Sequence, residues 1–165
     1  MKQVRVGIVG VTGYAGQEVL RLLLRHPGAR ITYLASSGKG DPGAALRAFG
    51  RLPVLVDAFD AAKCGGACDT AFLGLPHKVS AEAVPTLLDW GTRILDLSAA
   101  FRLKDAALYP KHYEFDHGTP SLLAKAVYGL PELYRKALRG AKLVAVPGCY
   151  PTGALLAVTP LLRKR

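Results

Sequence analysis

Acidic residues are scarce in this chain. Twelve Asp and Glu stand against 22 Lys and Arg in 165 residues, a formal net charge of +10. Such a surplus suits nucleic acid, a membrane surface or anionic small molecules. The densest basic clusters, Arg135-Lys136-Arg139-Lys142 and the terminal Arg163-Lys164-Arg165, lack the interleaved aromatics of a single-strand binder and the zinc ligands of a finger. Nucleic-acid binding is therefore not expected. No apolar run is long enough to span a bilayer, and Met1 leads directly into a strand-like run without a signal peptide, so neither a membrane nor a secreted protein is expected. Cysteine is also sparse. Three residues, Cys64, Cys68 and Cys149, give an odd count and no disulfide framework, and a reducing cytoplasm is the expected location. Cys64 and Cys68 flank Gly65-Gly66-Ala67, a spacing that is neither a redox Cys-x-x-Cys nor half of a matched zinc set. Both are read as structural or incidental, and no metal is expected. Internal repeats and low-complexity tracts are missing as well.

What is there is alternation. Half of the residues are hydrophobic, ample for one domain with a core, and 18 glycines and 11 prolines punctuate the chain at intervals that suit alternating strands and helices. Strands are predicted over Val4–Val9, Ile31–Ala35, Val54–Val56, Thr70–Leu73, Arg93–Leu97 and Lys142–Val146. Helical apolar spacing runs from Ala15 to the His26-Pro27-Gly28 stop, from Val79 to Trp90, and from Thr152 onward. Residues 101–131 read as an ordered, irregular excursion. The pattern predicts an α/β fold with a doubly wound parallel sheet. The chain is expected to divide into a Rossmann-like NADP-binding domain at 1–147 and the start of a truncated catalytic domain at 148–165.

Gly10-Val-Thr-Gly13-Tyr-Ala-Gly16 lies between the first strand and the first helix. A dinucleotide fold needs glycine there for a tight turn, for close approach of backbone to the pyrophosphate, and for packing of helix on strand. The helix start then offers N–H groups and the positive end of its dipole to the phosphates. The end of the second strand selects the cofactor. An NAD site places an acid there to hold the ribose 2′-hydroxyl, whereas Ser36-Ser37-Gly38-Lys39 offers two hydroxyls and an ammonium, with no acid before Asp41. The expected cofactor is NADP.

Cys149 lies in Pro147-Gly148-Cys149-Tyr150-Pro151-Thr152, after a predicted buried strand and at the mouth of a helix. Proline and glycine sharpen the turn, and the free N–H groups of a helix start favour a thiolate. Ligands of doubly wound folds bind along this carboxyl edge of the sheet. Cys149 is the candidate nucleophile. Arg102 is the candidate phosphate or carboxylate contact, through its planar fork of donors; a surface salt bridge is the plainer alternative.

These motifs together resemble the N-acetyl-γ-glutamyl-phosphate reductase family of the semialdehyde dehydrogenase superfamily. The segments that carry the resemblance are Gly10–Gly16, with Tyr14 distinguishing; Pro147–Thr152, the more specific; Asp96-Leu-Ser-Ala-Ala-Phe-Arg102; and Tyr128-Gly-Leu-Pro-Glu132. They extend over the whole chain but only over the first half of a typical member. The chain departs from the family in having Val146 where Asn is common and Ala100 where Asp is common. The resemblance implies a cofactor site of Gly10, Thr12, Gly13, Tyr14, Ala15, Gly16, Ser36, Ser37, Lys39, Leu75, Pro76 and Ser98. It also implies a small-molecule acyl-phosphate substrate in arginine biosynthesis, a Cys149 thioester reduced by NADPH, a homo-oligomeric parent enzyme, and a catalytic histidine beyond residue 165. His77, His112 and His117 match no family histidine of that role. Two other readings stay open: a related reductase of lysine biosynthesis acting on carrier-bound aminoadipyl phosphate, and a non-catalytic NADP-binding module. Tyr150-Pro151 disfavours aspartate-semialdehyde dehydrogenase. The fragment alone is expected to be inactive.

Overall fold

The computed structural model describes residues 3–36 and 41–163. In chain order the elements are β1 (Val4–Val9), α1 (Tyr14–Leu23), β2 (Ala29–Ser36), α2 (Pro42–Leu46), β3 (Val56–Ala58), α3 (Ala61–Ala67), β4 (Thr70–Leu73), α4 (His77–Asp89), β5 (Arg93–Asp96), α5 (Tyr109–Tyr113), α6 (Pro120–Lys125), β6 (Val127–Tyr128), α7 (Pro131–Leu138), β7 (Leu143–Ala145) and α8 (Cys149–Leu162). The strands form one sheet in the order β3-β2-β1-β4-β5-β7-β6, and every pairing is parallel. Chain direction across the sheet reverses between β1 and β4, which makes their carboxyl ends the switch point of a doubly wound fold.

Register fixes which side chains share a face. Ile8 pairs with Phe72, Phe72 with Leu95, and Leu95 with Val144, so these four point to one side. On that side Ile8 meets Val11, Leu20, Ile31 and Leu34 beneath the apolar stripe of α1. Val9, Leu73, Ala71, Ile94, Leu143 and Ala145 point to the other side, where they join Val84 and Leu87 of α4 and Cys64 of α3 in the larger core. Fully burying one such Leu or Ile stabilises by about 1.5–3 kcal/mol, so the two-sided burial of these short strands carries most of the fold.

Residues 101–131, predicted irregular, contain short helices around a buried aromatic cluster. Tyr109 is fully buried, and its hydroxyl donates to the Leu103 carbonyl and accepts from the Leu103 amide, both at 3.1 Å. Phe115 and His117 pack on its ring at centroid distances of 5.4 and 4.8 Å. The Lys104 ammonium reaches the carbonyls of Leu123 and Ala126 at the end of α6, where carbonyls lack helical partners.

Two sequence boundaries shift. The third strand lies at Val56–Ala58, because it pairs with the last residues of β2, Leu34 to Ser36. The last helix begins at Cys149, three residues before the predicted start. Pro151 does not delay it, because a proline in the first turn lacks only an N–H that has no helical acceptor.

Candidate dinucleotide and nucleophile edge

A parallel sheet sends the carboxyl end of every strand to one edge. The described candidates follow: Gly10–Gly16 after β1, Ser36 at the end of β2, Leu75-Pro76 after β4, Ser98 after β5 and Cys149 after β7. Ser37 and Lys39 lie outside the described residues.

The first turn is built by contact as well as by conformation. Gly10 has φ +77, and a β-carbon on it would lie 2.1 Å from the Gly74 carbonyl oxygen. A β-carbon on Gly16 would lie 2.2 Å from the Gly10 oxygen, so α1 presses its first turn onto the loop. Gly13 differs: its φ is −80, and its nearest neighbour would be 3.4 Å away. Neither strain nor crowding explains glycine at position 13; open space for a ligand does. Gly13 has no side chain to cap α1, and the first turn, Tyr14-Ala15-Gly16, carries no acid. Its N–H groups therefore face the loop as anion donors. Gln17 braces the turn by donating to the Thr12 carbonyl at 2.9 Å, and Tyr14 is 97% exposed. These residues fit a pyrophosphate: a bare helix start, a glycine that keeps the approach clear, and no competing carboxylate.

Ser36 is buried. Asp41, the first acid after β2, accepts from the Gly43 and Ala44 amides and so caps α2. Leu75 is buried in the core and Pro76 caps α4, so they shape this part of the edge by backbone and packing.

Beside them sits a buried carboxylate that sequence reasoning passed over. Asp96 accepts from the Ser80 hydroxyl at 2.7 Å, the Ser98 hydroxyl at 2.8 Å and the Ser98 amide at 3.1 Å. Burial pushes its carboxyl above the ordinary value, while the serine donors and the nearby Arg102 charge pull the other way. The Ser98 hydroxyl also accepts from the Ala100 amide at 3.0 Å, so its role here is to fix the turn after β5. His77 accepts from the Ala99 amide through Nδ1 at 3.1 Å and tilts against Tyr113. The Asp-Leu-Ser spacing, an Asx turn at a strand end, was the available signal.

Arg102 ties the last two turns together. Its Nε donates to the Val146 carbonyl at 2.8 Å and its Nη2 to the Leu97 carbonyl at 2.9 Å. Nη1 lies 3.3 Å from the site of a β-carbon on Gly148. The guanidinium is thus a strut between the β5 and β7 turns, with one amino group left beside the residue that precedes Cys149. Cys149 is exposed and opens α8, behind Gly148. Thr152 holds this first turn closed, its amide and hydroxyl both donating to the Gly148 carbonyl at 3.0 and 2.9 Å. By contrast Cys64 and Cys68 are buried, 3.7 Å apart, and the Cys68 thiol donates to the Cys64 carbonyl. Burial and the neighbouring thiol push Cys64 up, away from thiolate chemistry.

A glycine turn at the switch point and an exposed cysteine on the same edge are what a thiol-dependent dehydrogenase needs, and comparison with known proteins decides the family. Residues 5–141 match the model of the semialdehyde dehydrogenase NAD-binding domain. The chain belongs to that family. It is similar to an N-acetyl-gamma-glutamyl-phosphate reductase of Magnetococcus marinus, 46% identical over 99% of this chain and 48% of the relative. It is equally similar to a [LysW]-L-2-aminoadipate/[LysW]-L-glutamate phosphate reductase of Sulfurisphaera tokodaii, 47% identical over 96% of this chain and 46% of the relative. Among solved structures, an aspartate semialdehyde dehydrogenase with NADP from Candida albicans matches with TM-score 0.66 and 17% identity, over 99% of this chain and 48% of that one. That likeness shows the fold. The chain spans about half the length of the curated relatives it matches. Nicotinamide-dinucleotide binding follows from the family. Among the described residues no helix is long and apolar enough to cross a membrane, and no group of three or more His, Cys, Asp or Glu is placed to hold a metal.

Proposed function

We propose that this chain is the dinucleotide-binding half of an NADP-dependent acyl-phosphate reductase that acts on N-acetyl-γ-glutamyl phosphate in arginine biosynthesis, with residues 148–165 opening the catalytic half. The observation that carries the reading is the exposed Cys149 at the start of α8, on the sheet edge that also bears the Gly10–Gly16 turn. β1 and β7 are separated by β4 and β5, which puts the two turns ~14 Å apart at ~4.8 Å per strand, an interval that an extended dinucleotide spans.

In this reading the loop and the bare start of α1 hold the pyrophosphate, and Ser36, Ser37 and Lys39 meet the ribose phosphate. Asp41 supports NADP over NAD, because capping α2 takes it away from a ribose hydroxyl. NADPH, when bound, supplies hydride. Cys149 attacks the acyl carbon, forming a thioester as the carbon–oxygen bond to phosphate breaks and inorganic phosphate leaves. The uncapped N–H groups at the start of α8 favour negative charge at the sulfur. Arg102 offers Nη1 to the departing phosphate, its other donors holding the turn in place. The proton for release of the aldehyde comes from a base outside these 165 residues, so the chain by itself binds cofactor without turnover. A second reading, reduction of a carrier-bound aminoadipyl or glutamyl phosphate, is supported by the Sulfurisphaera relative's equal identity.

The test extends the chain at its carboxyl end with the second half of the Magnetococcus relative. Phosphate-dependent NADP reduction with N-acetylglutamate semialdehyde, lost in Cys149→Ser, is the expected result. Activity only with a carrier-linked semialdehyde selects the second reading. Binding of NADPH with no activity toward either, in a folded chimera, leaves the non-catalytic module.

A further inference from the structure

One slot of the doubly wound sheet has no helix in it. On the face that carries Ile8, α1 covers β1 and β2, and α7 stands over the far end near β7. Between them Phe72, Leu95 and Leu97 are only half-buried, at the floor of an apolar groove of about 590 Å³. The opposite side of β4 and β5 is sealed by α4. The groove runs over β4, β5 and β7, ~10 Å across at ~4.8 Å per strand. That is the diameter of one α-helix, ~10–12 Å with side chains.

The rim gives the occupant's charge. Arg93, Arg135 and Arg139 line the groove, and none of its lining residues is acidic. Arg93 donates from Nη2 to the Leu138 carbonyl at 2.8 Å, while its Nε is buried without a hydrogen-bond partner among the described residues. A buried guanidinium donor of this kind calls for an acceptor. A second copy of this chain fits poorly. Its own exposed apolar helix, α8, carries no acid and ends at Arg163, so like charges would meet.

The geometry points to a single occupant: an amphipathic helix with an acidic flank, contributed by the second half of the polypeptide that the longer relatives possess. This rests on reading the chain as the amino-terminal half. The apolar stripe of that helix covers Phe72, Leu95 and Leu97, and its carboxylates meet the three arginines. The second half is thereby anchored on the sheet face as well as through α8.

The test places a reporter in the floor, Leu95→Cys, and follows alkylation at position 95 by peptide mapping. In the 165-residue chain the thiol reacts readily. In the chimera with the Magnetococcus second half, the rate is expected to fall at least about tenfold, and R135E/R139E is expected to restore most of it. NADPH affinity serves as the check that the sheet is intact. Unchanged reactivity in a chimera that binds NADPH overturns the proposal, as does a dimer of the chain alone that already protects position 95. If the chimera does not fold, a 16-residue Leu-striped helical peptide with Glu flanks should protect the chain itself and a Lys-flanked one should not; equal or no protection overturns it. Protection without reductase activity separates this inference from the proposed reaction.

Discussion

Gly10 and Gly74 approach so closely that a β-carbon on Gly10 would lie 2.1 Å from the Gly74 carbonyl oxygen. The contact has two causes. Gly10 donates to the Ala35 carbonyl at 2.8 Å, which draws the loop across β2, and Gly74 donates to the Val9 carbonyl at 2.8 Å, which carries the β1–β4 pairing beyond the strands. The switch point is therefore closed by backbone on backbone, and any side chain at position 10 must break one of these bonds.

Gly10→Ala should cost ~3 kcal/mol or more, since it combines a positive φ with a backbone clash. Gly13→Ala should leave stability within ~0.5 kcal/mol, because its φ is ordinary and its surroundings open. Urea denaturation separates the two. NADPH titration should find both weakened, the first through the fold and the second through the occupied approach. A Gly13→Ala protein with unaltered affinity would remove the loop from the cofactor site.

Arg102 is argued as a strut, so its replacement should be felt in the absence of substrate. Arg102→Met leaves the Val146 and Leu97 carbonyls without their donor, a cost of ~1–3 kcal/mol. Arg102→Lys recovers one bond at most, because an ammonium cannot match a planar fork. Thermal unfolding should rank the proteins Arg, Lys, Met, and limited proteolysis should cut the Met variant between residues 146 and 149. A Met variant as stable as the parent would assign Arg102 to ligand alone.

His117 makes stability depend on pH. Its Nε2 donates to the Ala100 carbonyl at 2.8 Å and its Nδ1 accepts from the Thr119 amide, so only the neutral ring satisfies both. Burial holds its pKa below the ordinary 6.5. The unfolded chain takes up a proton near pH 6.5 and the folded chain resists, so stability is complete above that pH and declines as pH falls below it. Urea midpoints between pH 7.5 and 5 should show this decline, and His117→Asn should flatten it.

The strands that could be read from sequence were those buried on both faces. Val4–Val9 and Thr70–Leu73 have the bounds their apolar runs predict, and β5 is one residue shorter than its run. The Gly10 turn was legible because strand, glycine and helix follow one another along the chain. β6 was not, for its two residues Val127 and Tyr128 acquire strand geometry only by pairing with Val144 and Ala145. Helix α7 was hidden for a similar reason: it has no buried residue and shows only in its placement over the sheet. Asp96 escaped because nothing local separates a carboxylate buried among serines from one in water. Arg102 was found as a residue but not in its strut geometry, since its acceptors are backbone carbonyls 44 and five residues away.

Thiol chemistry gives the most direct test of the edge. Three cysteines are present, all free, and only Cys149 is exposed. Cys64 and Cys68 lie within the core against Gly7, where a β-carbon would meet the Cys68 sulfur at 2.8 Å, so reagent reaches them only when the sheet opens. The native chain should consume one equivalent of iodoacetamide quickly and the urea-denatured chain three. Cys149→Ser should abolish the fast equivalent while leaving NADPH affinity within about twofold, because the cofactor turn lies three strands away. NADPH should in turn slow alkylation of the parent, as it lies along the edge toward Cys149. A fast second equivalent would mean that the Cys68 region opens readily. A fast equivalent indifferent to saturating NADPH would separate the thiol from the dinucleotide site and leave Cys149 without a hydride to meet.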